Sequence, residues 1–341
     1  VQCCDLARVS LARVSLARAS VELASLELLW RRAASAWAVT RVAFVQLRSV
    51  QQRGTFVIKL VLSDMDNTLV PFGNRRVSDF TRKAIHTLLE ETDIAFGPCT
   101  GRDYVELMRL FSLDEACMQT GVMSTGKRVL YKGKTISLSI FDHKTLQGVA
   151  DALADEKNMF LVCYPEKTNL FNPAYVVGPL DKDILADYER KLVFVSGIVD
   201  QVPDDVDFVA ATIACPGTEE DMERCRQKVA AACPDVYTMS VVPQWFDVLP
   251  KGVSKLTGFE TLLERTGISP EEVLVFGDGE NDVEILSKVP HSVAVANAIP
   301  EVKQVARHHV GASADDGVAH ALLELVRATK AGETPRFMME N

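Results

Sequence analysis

Two acidic segments, each directly after an apolar run, constrain the fold of this 341-residue chain more than any other feature. The run Thr55 to Leu62, mainly β-branched and aliphatic, leads into Asp64 and Asp66. Far along the chain, the apolar run 273–276 leads into the acidic segment 278–282. Short apolar runs of this kind predict buried strands, and the carboxyl ends of neighbouring parallel strands open into the same crevice. We therefore expect the two acidic segments to converge at one edge of a parallel sheet.

The spacing of the first acidic pair predicts a metal site. Asp64 and Asp66 point the same way if the strand geometry continues, because side chains alternate along an extended chain. Two carboxylates this close call for a cation, which implies a divalent metal. The alternative is an Asp-rich turn at the end of a strand, since Asp is common in turns. The second acidic segment favours the metal site over the turn.

Four short motifs follow one another along the chain. They are Asp64-Met65-Asp66-Asn67-Thr68, then Thr100-Gly101-Arg102, then Lys255 at the end of Pro250–Lys255, and lastly Gly277-Asp278 through Asn281-Asp282. Their order resembles that of the haloacid dehalogenase superfamily, and over about residues 55–328 the chain is most similar to the Cof-type phosphatases of that family. The resemblance implies an α/β fold, with a doubly wound parallel-sheet core and an inserted α/β cap of the large C2 type.

The resemblance also implies a division of the chain. We expect a leader at 1–54, the first part of the core at 55–141, the cap at 142–243, the second part of the core at 244–330 and a frayed tail at 331–341. The predicted cap has alternating helix and strand patterns but no acidic strand ends, which agrees with a role outside the chemistry.

Residues 1–54 differ in composition from the rest of the chain. They hold eight arginines, three acids and no lysine, a net charge of +5 that leaves −14 on the remainder, since the total is −9. Their five-residue repeat, beginning at Leu6, turns by about 140° per copy in a helix and cannot keep one buried stripe. We expect a disordered or loosely helical leader, and the alternative is an organelle transit peptide, whose composition is similar. The first residue is Val rather than Met, which indicates a misplaced start or a fragment.

Charge and composition narrow the partners and the compartment. The net charge of −9 argues against nucleic acid as a partner, and no run of 18 apolar residues predicts a membrane span. Eight scattered cysteines without C-x-x-C spacing indicate a reduced cytoplasmic compartment, or an organelle if the leader is a transit peptide. His308 and His309 lie on a predicted late helix, where we expect a solvated surface and no metal.

The resemblance implies a role for each motif residue. Asp64 is the expected nucleophile, forming an aspartyl-phosphate, and Asp66 is the expected general acid and base. An Asp rather than a Thr two residues after the nucleophile indicates turnover rather than storage of the phosphoenzyme. The expected Mg²⁺ ligands are Asp64, the backbone carbonyl of Asp66, Asp278 and Asp282. The expected phosphate-binding residues are Thr100, Gly101, Arg102, Lys255 and Asn281, with Lys251 as the alternative to Lys255.

The sequence departs from the family pattern at two positions, and it leaves several functions open. Asn67 stands where these phosphatases usually have Gly, and Thr120 stands where Cof-type relatives tend to have Asn. Sugar phosphates are the leading substrate class by resemblance. The alternatives are a phosphomutase, a nucleotide or cofactor phosphatase, and a non-catalytic sensor of a phosphorylated ligand. The presence of Asp66, Asp278 and Asp282 together argues against the sensor.

Overall fold

Three sheets organise the part of the chain that the computed structural model describes, which is residues 57–156, 159–167, 174–178, 195–242 and 244–339. The predicted leader lies outside the described residues, all of which fall in one unit, Phe56–Asn341. The strands are β1 (Leu60–Ser63), β2 (Ala95–Pro98), β3 (Gly121–Met123), β4 (Arg128–Tyr131), β5 (Lys134–Leu138), β6 (Phe160–Pro165), β7 (Ala174–Val177), β8 (Val195–Val199), β9 (Phe208–Ala214), β10 (Val236–Val242), β11 (Trp245–Pro250), β12 (Val273–Gly277), β13 (His291–Val295) and β14 (His308–Val310).

The helices of the described part connect and cover these strands. They are α1 (Asp79–Glu91), α2 (Tyr104–Leu110), α3 (His143–Ala152), α4 (Glu219–Ala232), α5 (Lys255–Thr266), α6 (Val283–Lys288), α7 (Pro300–Val305) and α8 (Gly317–Ala331). Ser78 caps α1, because its side chain accepts a hydrogen bond of 3.0 Å from the backbone N–H of Thr81. No helix in the described ranges combines the length and apolar character that crossing a membrane requires.

The central sheet has five strands in the order β14-β13-β12-β1-β2, and all of its neighbouring strands run parallel. Every residue of β1 and of β12 is buried, which explains why both strands read as unbroken apolar runs rather than as alternating ones. The predicted α/β fold with a parallel central sheet is confirmed. The two strands that precede the acidic segments are direct neighbours, so their carboxyl ends adjoin.

A second sheet of six strands forms from the middle of the chain, in the order β10-β11-β9-β6-β7-β8. Its neighbours are antiparallel except for β7 and β8, which are parallel. The second hydrophobic core includes Leu146 of α3 and Val229 of α4 together with Leu161 and Ile213 of the sheet. This sheet agrees with the predicted α/β insertion. A third, antiparallel sheet, β3-β4-β5, contains a hairpin that turns at Lys132 and Gly133.

The second boundary of the predicted insertion needs revision. The sequence places residues from 244 onward in the core, but β11 pairs antiparallel with β10 and with β9 in the six-stranded sheet. Because β10 and β11 form a hairpin that satisfies the backbone hydrogen bonds of both strands, β11 belongs to the same sheet as β10. The division into core and cap is itself a proposal, and we now place its second boundary after Pro250.

Two local predictions were wrong. His308 and His309 lie on β14 rather than on a helix, because α7 ends at Val305 and the chain then pairs with β13. The tail expected to fray folds back after α8, and Met338 is buried in the main hydrophobic core. Burial of one apolar side chain contributes about 1.5–3 kcal/mol, enough to hold a short segment in place.

Candidate active site

The ends of three neighbouring strands of the central sheet hold the predicted site. The backbone N–H of Asp64, just after β1, donates a 2.9 Å hydrogen bond to the carbonyl of Phe276 at the end of β12. On the other side of β1, the backbone N–H of Cys99 donates to the carbonyl of Ser63 at 2.7 Å. Thr100 and Asp278 therefore lie on either side of Asp64, and the expected convergence of the motifs is confirmed.

Three buried carboxylates meet at this edge. Asp64, Asp278 and Asp282 each bring an oxygen within 4.8 Å of the other two. Burial raises the pKa of Asp64 well above its usual range, although Lys255 opposes the shift, and burial raises the pKa of Asp278 to about 6. Three acids facing one lysine leave an excess of negative charge. Their oxygen donors fit a hard divalent cation such as Mg²⁺, which carboxylates and water normally ligate.

Lys255 bridges two of these acids. Its Nζ lies 2.6 Å from Asp64 Oδ1 and 2.6 Å from Asp282 Oδ1, and its side chain is 1% exposed. Burial alone lowers the pKa of a lysine, but the two carboxylates outweigh it and raise the pKa of Lys255. Ser254 caps α5, so Lys255 is the first residue of that helix. Lys251 is exposed, so Lys255, rather than the alternative, belongs to the site.

Both carboxylate oxygens of Asp282 accept hydrogen bonds from groups of the protein. Its Oδ2 accepts hydrogen bonds from the backbone N–H groups of Asp278 at 2.9 Å and Gly279 at 3.1 Å, and its Oδ1 accepts from Lys255. These contacts fix the turn after β12 and leave Asp282 suited to an indirect role toward a cation. Asn281 lies in the same turn, half-buried, and among the described residues its side chain makes no hydrogen bond.

Asn67 and Thr68 hold Asp278, a pair of contacts that sequence reasoning missed. Thr68 Oγ1 donates to Asp278 Oδ1 at 2.5 Å, and Asn67 Nδ2 donates to Oδ2 at 3.0 Å. Asn67 has a φ of 64°, the left-handed region that Asn tolerates better than most residues. Asn at this position therefore supplies the turn expected of Gly and adds a hydrogen bond to the acid. The signal was present in the sequence, since both residues belong to the first motif.

Asp66 is paired with Arg102. The guanidinium donates from Nε to Asp66 Oδ2 at 2.6 Å and from Nη2 to Oδ1 at 2.8 Å, while its Nη1 donates to Glu106 Oε1 at 3.1 Å. Burial lowers the pKa of Arg102, but the hydrogen bonds to Asp66 and the charge of Glu106 outweigh it and raise that pKa. Arg102, expected to bind phosphate, thus contacts the predicted acid and base in this structure.

Thr100 and Gly101 follow β2 and lie beside Asp64. Thr100 is buried, and its Oγ1 accepts a 3.2 Å hydrogen bond from the backbone N–H of Arg102. A Cβ added to Gly101 would lie 2.8 Å from Asp247 Oδ2 and 3.3 Å from Thr125 Oγ1. Any side chain at Gly101 would therefore displace the carboxylate of Asp247.

Asp247 is the residue of this region that sequence reasoning missed entirely. It lies on β11, and its Oδ2 accepts a 3.2 Å hydrogen bond from Thr125 Oγ1. Burial raises the pKa of Asp247 to about 7, with Thr125 opposing the shift and Glu106 adding to it. The available signal was an acid within an otherwise apolar strand, eight residues before Lys255.

A second group of possible metal ligands lies elsewhere in the described part. His86, Asp114 and Cys117 bring their ligand atoms within 4.8 Å of one another. His86 Nε2 lies 2.8 Å from Asp114 Oδ2, and Arg82 Nη1 lies 3.7 Å from the same oxygen. Burial raises the pKa of Cys117 to about 12. Because the Asp114 carboxylate already contacts His86 and Arg82, we interpret this group as a structural network.

Comparisons with known proteins show what this chain resembles. A model of the haloacid dehalogenase-like hydrolase family matches residues 61–322. A Bacillus subtilis (strain 168) protein named "Putative phosphatase YxeH" is 26% identical over 278 residues, which cover 79% of this chain and 99% of that protein. A solved structure of the HAD subclass IIB sugar phosphatase BT4131 has a TM-score of 0.61 at 22% identity, covering 77% of this chain and 97% of that one. A solved HAD/COF-like hydrolase from Plasmodium vivax has a TM-score of 0.65 at 22% identity, covering 79% and 95% of the two chains.

Proposed function

The chain belongs to the haloacid dehalogenase-like hydrolases of the Cof type and is a phosphatase, and we propose that it hydrolyses phosphomonoesters with Mg²⁺ through an aspartyl-phosphate on Asp64. The observation that carries this proposal is the buried cluster of Asp64, Asp278 and Asp282 around Lys255, at the adjoining ends of β1 and β12. The name of the sugar phosphatase with the same fold supports sugar phosphates as the first substrates to test.

The nucleophile of this proposal is Asp64 Oδ2. Lys255 engages Oδ1, and among the described residues Oδ2 accepts no hydrogen bond, so this oxygen is available for attack. It bonds to phosphorus while the phosphorus–oxygen bond of the ester breaks. Water then attacks phosphorus, releases inorganic phosphate and restores the Asp64 carboxylate. Splitting the hydrolysis in this way divides one difficult step into two easier ones.

The proton transfers belong to Asp66. In the first step protonated Asp66 gives its proton to the leaving alkoxide, and in the second step ionised Asp66 takes a proton from the attacking water. Asp66 accepts two hydrogen bonds from the guanidinium of Arg102. A substrate phosphate that takes over hydrogen bonds from Arg102 would free the Asp66 carboxyl group to contact the leaving group. Arg102 would thereby couple substrate binding to the position of Asp66.

The remaining residues bind the phosphate and the ion. Asp64, the backbone carbonyl of Asp66 and Asp278 would hold Mg²⁺, with Asp282 acting indirectly. When bound, the ion neutralises the charge on the phosphate oxygens. In this proposal, Thr100 at a strand end, the backbone N–H of Gly101 and the side chain of Asn281 would donate hydrogen bonds to the phosphate. The partner is thus a small phosphorylated molecule.

The compartment is proposed from the thiols. The six cysteines in the described part of the chain are free and buried, which supports a reducing compartment. We propose the cytoplasm, or an organelle if the leader is a transit peptide.

Asp66→Asn is expected to slow the hydrolysis of alkyl phosphates by roughly 10²–10⁴-fold. For an aryl phosphate, whose leaving group needs no proton, the first step is spared and a rapid burst of the phenol should precede slow turnover. Stopped-flow measurement of the two substrates tests the difference. The exposed Asp93 gives a matched control, Asp93→Asn. An equal loss on both substrates would show that Asp66 does not donate the proton.

The general test of the proposed function is phosphate release by the full chain from sugar phosphates, nucleotides, phosphorylated cofactors and an aryl phosphate. Release should require Mg²⁺, stop with chelator and return when Mg²⁺ is added back. Conversion of a sugar phosphate into its isomer without free phosphate would indicate a phosphomutase. Folded protein that binds Mg²⁺ but releases no phosphate from any compound would point to a sensor and contradict the proposal.

A further inference from the structure

Asp247 lies on β11 of the six-stranded sheet, but its side chain lies beside Gly101 of the second motif, at the edge of the central sheet. Its Oδ2 accepts from Thr125 and lies against Gly101, the neighbour of Thr100. Among the residues that the structure describes, the other oxygen, Oδ1, accepts no hydrogen bond. The residue is half-buried, so part of its side chain remains accessible to a bound molecule. An acid with one anchored oxygen and one available oxygen is suited to accept a hydrogen bond in a fixed direction.

Two further polar groups share the face of the sheet that carries Asp247. Thr212 is the direct partner of Asp247 between β9 and β11, so their side chains point the same way. Tyr164 on β6 lies 3.3 Å from Thr212, between the phenolic oxygen and Oγ1. The phenol is also within electrostatic reach of Arg102 and Asp247. The three side chains form a row, which we call the polar row, directed toward the second motif.

The chemistry of the polar row selects between ligands. A carboxyl group, a phenol and a hydroxyl can all bond to the hydroxyl groups of a ligand. The row itself contains no cation to bind a second phosphate, and the nearby Arg102 is already paired with Asp66 and Glu106. A ligand with a phosphate at the motifs and uncharged hydroxyl groups beside it matches this arrangement better than a bisphosphate or a nucleotide does.

We propose that Asp247 is a specificity-determining residue, which accepts a hydrogen bond from a hydroxyl group of the leaving group adjacent to the phosphate ester. This inference rests on the proposed function. The hydrogen bond to Asp247 Oδ1 would select phosphate esters of polyols. Thr212 and Tyr164 would contact the neighbouring part of the leaving group.

The test compares Asp247→Ala and Asp247→Asn with the wild-type chain on a hexose phosphate and on an aryl phosphate without hydroxyl groups. Loss of a hydrogen bond to a charged group lowers kcat/KM for the hexose phosphate by about 10–100-fold. The loss on the aryl phosphate should be at least about tenfold smaller, because that leaving group offers no hydroxyl to Asp247. Glu220→Gln, an exposed acid on α4 with the same charge change, is the matched control.

A deoxy series identifies the hydroxyl group. The wild-type chain should lose kcat/KM on the analogue that lacks this hydroxyl, whereas Asp247→Ala should no longer distinguish that analogue from the parent sugar phosphate. Asp247→Asn retains an acceptor for Thr125. This variant therefore distinguishes loss of the hydrogen bond to the ligand from loss of the hydrogen bond that fixes the side chain of residue 247.

The outcomes separate this inference from the proposed function. Equal losses on the hexose phosphate and the aryl phosphate would make Asp247 a support of the Gly101 segment and overturn the inference. Unchanged hexose phosphate turnover in both variants would overturn it as well. In either case the wild-type activity on the aryl phosphate would stand, and with it the proposed function. A wild-type chain inactive on every compound would overturn both.

Discussion

Replacing Asp64 by Asn is expected to lower phosphate release by roughly 10⁴-fold or more, because the substitution removes the nucleophile of the proposed covalent step. Asn keeps the size and shape of Asp, so the hydrogen bond from the backbone N–H of residue 64 to Phe276 should remain. The measurement is phosphate release with Mg²⁺ under conditions that detect single turnovers. Residual activity above about 1% of wild type would contradict a nucleophilic Asp64.

The same variant should fold at least as stably as the wild-type chain. Burial raises the pKa of Asp64, which means that the ionised carboxylate is less stable here than in the unfolded chain. A neutral amide avoids that cost, and Lys255 retains Asp282 as its partner. Thermal unfolding should therefore give an unchanged or higher Tm. Asp205→Asn, at an exposed position, is the matched control and should retain full activity. A large fall in Tm for Asp64→Asn would attribute the lost activity to misfolding.

Replacing Lys255 by Met is expected to cost about 3–5 kcal/mol of folding free energy and most of the activity. The side chain is 1% exposed and lies between Asp64 and Asp282, so its removal leaves two buried carboxylates without a cation. Lys251→Met changes the same residue type on the exposed side of the turn and should be close to neutral. Chemical denaturation of both variants gives the comparison. Equal effects of the two substitutions would contradict the assignment of Lys255.

The Lys255→Met variant should also depend on pH in a defined direction. Loss of the lysine raises the folded pKa of Asp64 further, so the folded state binds a proton that the unfolded state releases. Stability is then greatest below the unfolded pKa of the carboxyl group and is lost as pH rises through the folded pKa. We expect a larger destabilisation relative to wild type at about pH 8 than at about pH 5.5. The reverse order would indicate that Lys255 does not compensate these acids.

The central sheet could be predicted because its signals are local. Each motif follows a short apolar run, and the run before Asp64 and the run before Asp278 became adjacent parallel strands, as expected. The positions of Lys255 and Thr100 followed from the order of the motifs. These features depend on strand ends, which a sequence marks by an abrupt change from apolar to acidic residues.

The parts that were missed depend on pairing between distant segments. The local sequence of β11 does not indicate that it joins the six-stranded sheet, because an apolar strand can pair with either neighbour. Its antiparallel pairing with β10 places it in that sheet. Asp247 reaches the second motif only because of that pairing, so its place beside Gly101 could not be read from spacing. The ion pair between Asp66 and Arg102 is likewise a tertiary contact, formed by side chains 36 positions apart.

Trapping the phosphoenzyme tests the central claim most directly. Asp66→Asn, mixed with a labelled aryl phosphate and Mg²⁺, slows the second step, and acid quenching preserves the acyl-phosphate for peptide mapping. We expect a phosphorylated protein that forms within the burst, is cleaved by hydroxylamine and carries its label on Asp64. Phosphate release without any labelled protein, or a label on another residue, would contradict it.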